Sequence, residues 1–142
     1  MTAEQLFSIL SLAAALSWVL LAVLPGRRWV TQIVTGLAVP MMLGAVYAAL
    51  IVANWGGPGG FSSLADVSTL FSNPWLLLAG WVHYLTFDLL VGTWEVTDAR
   101  ERGVPHLLVI PCLFLTFMFG PAGWLLYQGV RRVAAGRRPL AR

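Results

Sequence analysis

Lysine is absent from the sequence, and acidic and basic residues together make up only 11% of it. Soluble domains carry roughly 25%, and a chain of 142 residues has a large surface for its volume. So little charge excludes a water-soluble globule, because the outer face would have to be apolar. A bilayer removes that requirement. Cysteine occurs once, as Cys112, which excludes an internal disulfide and a Cys-rich metal site. Histidine occurs only at His83 and His106. Those two would have to lie at one depth to clamp a haem, and their positions in the chain place them at different depths. The basic excess consists of nine arginines against six acidic residues. The arginines stand at the ends of apolar runs, where they anchor helices at an interface. No nucleic-acid partner is expected from them.

What the sequence does contain is apolar length. Hydrophobic residues form 58% of it, gathered into runs over about 3–24, 30–53, 74–96 and 106–130. Each exceeds the ~18 residues needed to cross ~30 Å of hydrocarbon. The expected fold is therefore an all-α membrane protein, a four-transmembrane-helix bundle in one domain, 1–142, with a basic tail over 131–142. Thr2 and Gln5 form a capping-box pattern, Pro25-Gly26 closes the first run, and Pro74 suits a first helical position. The first run lacks a basic leader and reads as a span. Gly36, Pro40, Gly44 and Ala48 recur every four residues, a small-residue stripe expected to face another helix. Between the second and third runs, Trp55–Gly60 is a Gly/Pro loop. Leu64, Val67, Leu70 and Phe71 then follow at helical spacing, predicting a short interfacial helix.

With four spans both chain ends share one side with the 54–73 loop. That side carries the five tail arginines, and the other carries Arg27, Arg28, Arg100 and Arg102. Five against four gives little bias under the positive-inside rule. The reading leans to cytoplasmic ends in a bacterial inner membrane, the Arg-rich, Lys-free composition suggesting a bacterial source.

Titratable residues concentrate in the third run and the turn after it: His83, Asp88, Glu95, Asp98, Arg100, Glu101, Arg102 and His106. Counted from Trp75, His83 lies about 12 Å into the membrane and Asp88 about 20 Å. An ionisable group at such depth costs at least ~2.5 kcal/mol and marks a functional site. At 100° per residue, Tyr84, Asp88, Val91, Glu95 and Asp98 share one stripe, while His83 lies at its edge. Cys112, Thr116, Gly120, Gly123 and Tyr127 form a matching face on the fourth run. Pro111 and Pro121 interrupt that run's hydrogen-bond ladder and free carbonyls that only protein or a cavity can satisfy.

Structural roles compete with functional ones. Asp88 would serve as a helix lock if it accepted from Tyr84, Trp81 or Thr116. Asp98, Arg100, Glu101 and Arg102 suit an ion-paired interfacial turn, with Arg100 or Arg102 on Asp98 or Glu95. Cys112 suits packing. A metal held by Glu95, Asp98 and His106 lacks zinc-type spacing on one helix, so no metal is expected.

The stretch W-V-H-Y-L-T-F-D-L-L-V-G-T-W-E-V-T-D-A-R-E-R-G-V-P-H (81–106), with P-C-L-F-L-T-F-M-F-G-P-A-G-W-L-L-Y (111–127), resembles the abscisic-acid-deficient-four-like family of four-helix membrane proteins. Plant members of that family are implicated in making neoxanthin from violaxanthin. The resemblance implies an isomerisation in which an epoxide opens, a neighbouring carbon loses a proton, and no redox cofactor takes part. A desolvated carboxylate and an imidazole supply the acid and base types such a step needs.

Two function classes follow. One is a cofactor-independent isomerase of a carotenoid-like or other polyene lipid. Its catalytic residues would be His83, Asp88 and Glu95, and its substrate-binding residues Tyr84, Asp98, Arg100, His106 and Thr116. The other is a non-catalytic lipid- or carotenoid-binding or assembly protein, as a monomer or homo-oligomer. The first requires a water-free pocket holding both His83 and Asp88. The second requires a groove and tolerates loss of His83.

Overall fold

The computed structural model describes residues 1–135, and these are helical apart from turns and loops. Three helices are long and apolar enough to cross a membrane: α1 (Ala3–Val23), α2 (Val30–Ala53) and α4 (Pro74–Arg102). The short α3 (Leu64–Leu70), α5 (His106–Phe119) and α6 (Pro121–Ala135) complete the order. Thr2 starts α1 with both halves of a capping box. Asn73 caps α4, its side chain accepting from the Trp75 N–H at 2.9 Å.

The first half of α2, Val30–Ala38, winds as a π-helix. Pro40 explains the wider winding. It has no N–H to donate, and its ring crowds the carbonyl four residues back in an α-helix. Val39 instead donates to the Val34 carbonyl, five residues back. Thr35 Oγ1 likewise reaches the Val30 carbonyl, at 3.0 Å. The wider turn changes which side chains share a face: Val30, Thr35 and Pro40, five apart, are all buried. The small-residue stripe expected from the sequence is kept only in its first half, where Gly36 lies against Thr93 of α4 and Pro40 is buried. A Cβ added at Gly44 would meet nothing within 4 Å, and Ala48 is exposed. Neither residue faces another helix.

α4 is the central element, packed against α1, α2, α5 and α6. It runs to Arg102, six residues beyond the expected end at 96, and Gly103 stops it at φ 66°. At 1.5 Å per residue its 29 residues span about 43 Å. Trp81 Nε1 donates to Ser11 Oγ at 2.9 Å. Near the other end His106 Nε2 meets the Ala22 carbonyl at 2.8 Å. These contacts place α1 beside α4 with their N-termini at one end. α2 runs the opposite way, with Thr93 Oγ1 donating to Thr35 Oγ1 at 2.8 Å. Side chains such as Leu12, Leu16, Ile33, Phe87 and Phe114 remain exposed, as lipid-facing groups do.

The fourth apolar run is not one continuous helix over 106–130. Gly120, at φ 45° and ψ −96°, turns the chain back on itself. Pro121 then opens α6. Val130 and Val133 near the end of α6 line one cavity with Pro105 and Leu108 at the start of α5. A straight helix from 106 to 133 would hold these residues roughly 40 Å apart. α5 and α6 are therefore an antiparallel hairpin, and Gly123 permits its tightness. A Cβ on Gly123 would run into the backbone N and the hydroxyl of Thr116. Fourteen residues in α5 give about 21 Å, short of the ~30 Å hydrocarbon thickness.

The reversal also moves the arginines. The end of α6 lies beside the end of α4, where Arg131 Nη1 is 3.6 Å from Asp98 Oδ2. Arg27, Arg28, Arg100, Arg102, Arg131 and Arg132 thus all stand at one end of the molecule. Glu4 and Asp66 stand at the other, where Ala3 and Glu4 pack beside Pro74. Arg137, Arg138 and Arg142 lie outside the described residues.

Candidate functional site

Asp88 lies at the middle of α4, half-buried, facing the tip of the α5–α6 hairpin. A Cβ on Gly120 would come within 2.9 Å of Asp88 Oδ1, so the carboxyl sits directly against the glycine of the turn. With Val91, Gly120, Pro121 and Trp124 it lines an open groove of about 370 Å³. Asp88 Oδ2 is buried and has no hydrogen-bond partner. Of the donors that the sequence offered to Asp88, Trp81 and Thr116 are engaged elsewhere, while the Tyr84 hydroxyl stands close to the carboxyl. Tyr84 Oη donates to the Phe117 carbonyl at 2.8 Å. That carbonyl would bond the N–H of residue 121 in an α-helix, and residue 121 is proline. Tyr84 therefore satisfies the acceptor that Pro121 leaves free, as a chain break inside a membrane requires.

Glu95 is fully buried two turns further along α4. Its Oε1 accepts from Thr116 Oγ1 at 3.0 Å, and its Oε2 has no partner. Thr116 is thus a positioning partner of Glu95, held one turn above the hairpin tip. Trp18 of α1 closes the same face. Its ring lies on Gly92, where a Cβ would overlap the indole, and packs against Phe117 with centroids 5.6 Å apart.

Asp98 belongs to a separate cluster at the arginine end. It accepts from Tyr127 Oη at 2.6 Å and from Arg102 Nε at 2.8 Å. Arg131 stands beside it and over the Trp94 ring at 5.5 Å. The cluster ties α6 to α4. Of the turn pairs weighed from the sequence, Asp98–Arg102 forms. Arg100 is exposed and lines a polar recess of about 360 Å³ with Arg28, Thr31, Gln32, Thr97 and Glu101. That recess lies about 18 Å along α4 from Asp88. His106 is half-buried and bonded to the Ala22 carbonyl. A carbonyl only accepts, so Nε2 carries the proton. The bond satisfies an orphan carbonyl at the end of α1 and pins the start of α5.

His83 does not join Asp88. It is exposed on another face of α4, between the rings of Tyr47 and Phe87, with centroids at 5.6 and 4.7 Å. The five-residue offset turns it about 140° from Asp88, and the groove at the hairpin tip opens on the Asp88 side alone. Among the described residues, the groove that holds Asp88 does not include His83, as an imidazole–carboxylate pair would require. Cys112 is fully buried, with Sγ 3.4 Å from the Leu108 carbonyl. The structure thus gathers Asp88, Glu95, Tyr84 and Thr116 around the hairpin. It leaves Asp98, Arg100 and His106 toward the arginine end and His83 outside.

Trp18, Tyr127 and Arg131 were not among the residues singled out from the sequence as site residues. Only Gly92 carried a usable signal for Trp18: a glycine on the Asp88–Glu95 stripe marks a close approach by another element.

A family model described as ABA DEFICIENT 4-like matches residues 5–127. The chain belongs to that family. The match takes in α1 to α5 and the first half of α6, so the hairpin and both buried carboxyls lie inside it. No curated protein and no solved structure matches the chain.

Proposed function

We propose that the protein acts on a carotenoid-like or other polyene lipid that lies against the hairpin tip, as an isomerase that opens an epoxide. The observation that carries this reading is the Asp88 carboxyl. It stands at mid-helix in a lipid-open groove, with one oxygen buried and unpartnered. A structural lock would use its hydrogen bonds, and a neutral side chain would lock at lower cost. Membership of the ABA DEFICIENT 4-like family, with the epoxycarotenoid chemistry its resemblance implies, supports this choice of substrate class.

In the proposed step the Asp88 carboxyl gives its proton to the epoxide oxygen as the carbon–oxygen bond breaks. The polyene delocalises the positive charge left on carbon. The Asp88 carboxylate then takes a proton from the neighbouring carbon, forming the new double bond and regenerating the acid. One group acts as acid and then base, so His83 is not needed and no electrons are gained or lost. Glu95 is too deep to touch the lipid and orders the wall behind Asp88 through Thr116.

The groove is open and only one titratable side chain lines it. That favours, as the second reading, a non-catalytic protein that binds the polyene. The deciding experiment is pigment extraction from the purified protein after expression with an epoxycarotenoid supply, for wild type, Asp88→Asn and His83→Gln. The isomerase reading expects a rearranged product with wild type and His83→Gln, and unchanged epoxide bound to Asp88→Asn. A bound pigment that is never converted supports the second reading. Absence of any bound or converted polyene sinks both.

The topology proposed with this function is three spans plus a hairpin that enters and leaves on one side. Under the positive-inside rule the six arginines at that end support a cytoplasmic side for it in a bacterial inner membrane, with the N-terminus outside. For the N-terminus this reverses the lean drawn from five arginines against four, while the end of α6 keeps the cytoplasmic side.

A further inference from the structure

The antiparallel seam between α2 and α4 turns polar toward the arginine end. Thr35 and Thr93 meet inside the bundle, their hydroxyls 2.8 Å apart. About one turn further out on each helix stand Thr31 and Thr97. Beyond them come Arg28 on α2 and Arg100 and Glu101 on α4. Thr31, Thr97 and these three charged residues line, with Gln32, one recess of about 360 Å³. Counted from Pro74, Arg100 lies about 39 Å along α4. That is beyond ~30 Å of hydrocarbon and within the ~40–45 Å that includes the headgroups. Trp29, next to Arg28, is exposed, as aromatic residues at a membrane interface are. Both ion pairs among the described residues end on Asp98. Arg28, Arg100 and Glu101 belong to neither, so two cations and one anion line the recess without an ion-pair partner. Thr31 Oγ1 donates to the Arg28 carbonyl at 3.4 Å, and Thr97 Oγ1 donates to the Thr93 carbonyl at 2.9 Å. Their protons are thus used, and each hydroxyl oxygen is left as an acceptor.

We propose that this recess binds the headgroup of an aminophospholipid, which carries a phosphate and a primary ammonium. The guanidiniums of Arg28 and Arg100 take the phosphate oxygens, to which their planar donor forks are matched. The ammonium offers three N–H donors, and the Glu101 carboxylate and the threonine oxygens accept them. A headgroup bearing phosphate alone leaves Glu101 beside a like charge. A trimethylated ammonium has no N–H to give. Deeper along α2 the exposed side chains turn apolar, at Ile33 and Leu37, which suits acyl chains and not a soluble phosphoethanolamine. The recess shares no lining residue with the Asp88 groove, and the proposal does not depend on the polyene reading.

The test is native mass spectrometry of the delipidated full-length protein with phosphatidylethanolamine, phosphatidylcholine and phosphatidylglycerol, all with oleoyl chains. Wild type is expected to retain the ethanolamine lipid about fivefold over the choline lipid, the equivalent of one exposed ion pair. Glu101→Gln should bring that ratio close to one without weakening the choline lipid. Arg28→Gln and Arg100→Gln should each lower retention of all three lipids by about fivefold. Arg132→Gln removes the same charge at the same end but outside the recess, and should change nothing. All four side chains are exposed, so their replacement leaves the bundle packed. Soluble glycerophosphoethanolamine in millimolar excess should displace none of the bound lipid. Equal retention of the three lipids by wild type overturns the proposal. So does an undiminished ratio in Glu101→Gln, or an equal loss in Arg100→Gln and Arg132→Gln, which is what charge attraction at that end alone would give. Displacement by the soluble headgroup overturns the assignment to a lipid.

Discussion

Gly123 and Gly129 lie six residues apart on α6, and the hairpin makes opposite demands on them. A methyl group on Gly129 would meet nothing within 4 Å, whereas one on Gly123 would strike the backbone N and the hydroxyl of Thr116. Replacing glycine by alanine inside a helix gains up to about 1 kcal/mol of helix propensity. Gly129→Ala should therefore be neutral or mildly stabilising. Gly123→Ala receives the same gain but must push α6 away from α5. The neighbour is backbone, which yields poorly, and overpacking of that kind costs about 1–3 kcal/mol. Separation would also lengthen the Thr116–Glu95 bond at 3.0 Å, and interhelical bonds in membranes average about 0.6 kcal/mol. The two variants should differ by roughly 2–4 kcal/mol, Gly123→Ala being the weaker. Equilibrium unfolding by SDS in mixed micelles measures the difference directly. In a continuous fourth helix the two glycines would be equivalent, and Gly123→Ala would gain stability. Equal stability of the two variants refutes the hairpin.

Single cysteines placed at residues 28, 100 and 132 in a Cys112→Ser background should label from one side of the membrane and one at residue 57 from the other. Labelling of 132 together with 57 would restore four spans. Tyr84→Phe frees the Phe117 carbonyl beside Pro121 and should cost about 1 kcal/mol, while Tyr47→Phe, whose hydroxyl donates no bond in the structure, should cost less in the same unfolding assay. Tyr127→Phe removes a 2.6 Å bond to a carboxylate and should cost about 1.5–3 kcal/mol. Arg102→Gln should cost less, because Arg102 is half exposed and its pair with Asp98 lies within α4; the reverse order would show that the bond from Tyr127 does not tie α6 to α4. Ala substituted at Gly92 should displace the Trp18 ring and quench or shift its emission, and an unchanged spectrum would place the indole elsewhere.

Much of the architecture is legible in residue order because burial in lipid adds up residue by residue. Three long apolar runs, the cap at Thr2, the helix start at Pro74 and the short helix near Leu64 follow from local composition and local hydrogen bonding. So does the alignment of Asp88, Glu95 and Asp98 on one face of α4, since a single helix sets its own angles. Three features depend on something no local pattern carries. The direction of the chain after Phe119 rests on the dihedral angles of Gly120, and an apolar run reads the same whether it continues or turns back. The face that α2 presents depends on the π-winding ahead of Pro40, which shifts the repeat to five residues and turns Gly44 and Ala48 away from the bundle. The environment of His83 depends on which neighbours stand beside α4. With the hairpin on the Asp88 face and α2 contributing Tyr47, the imidazole is left outside the groove. Hydropathy places a residue at a depth along a helix axis. Which residues meet at that depth is settled by packing between helices, and one glycine turn is enough to change it.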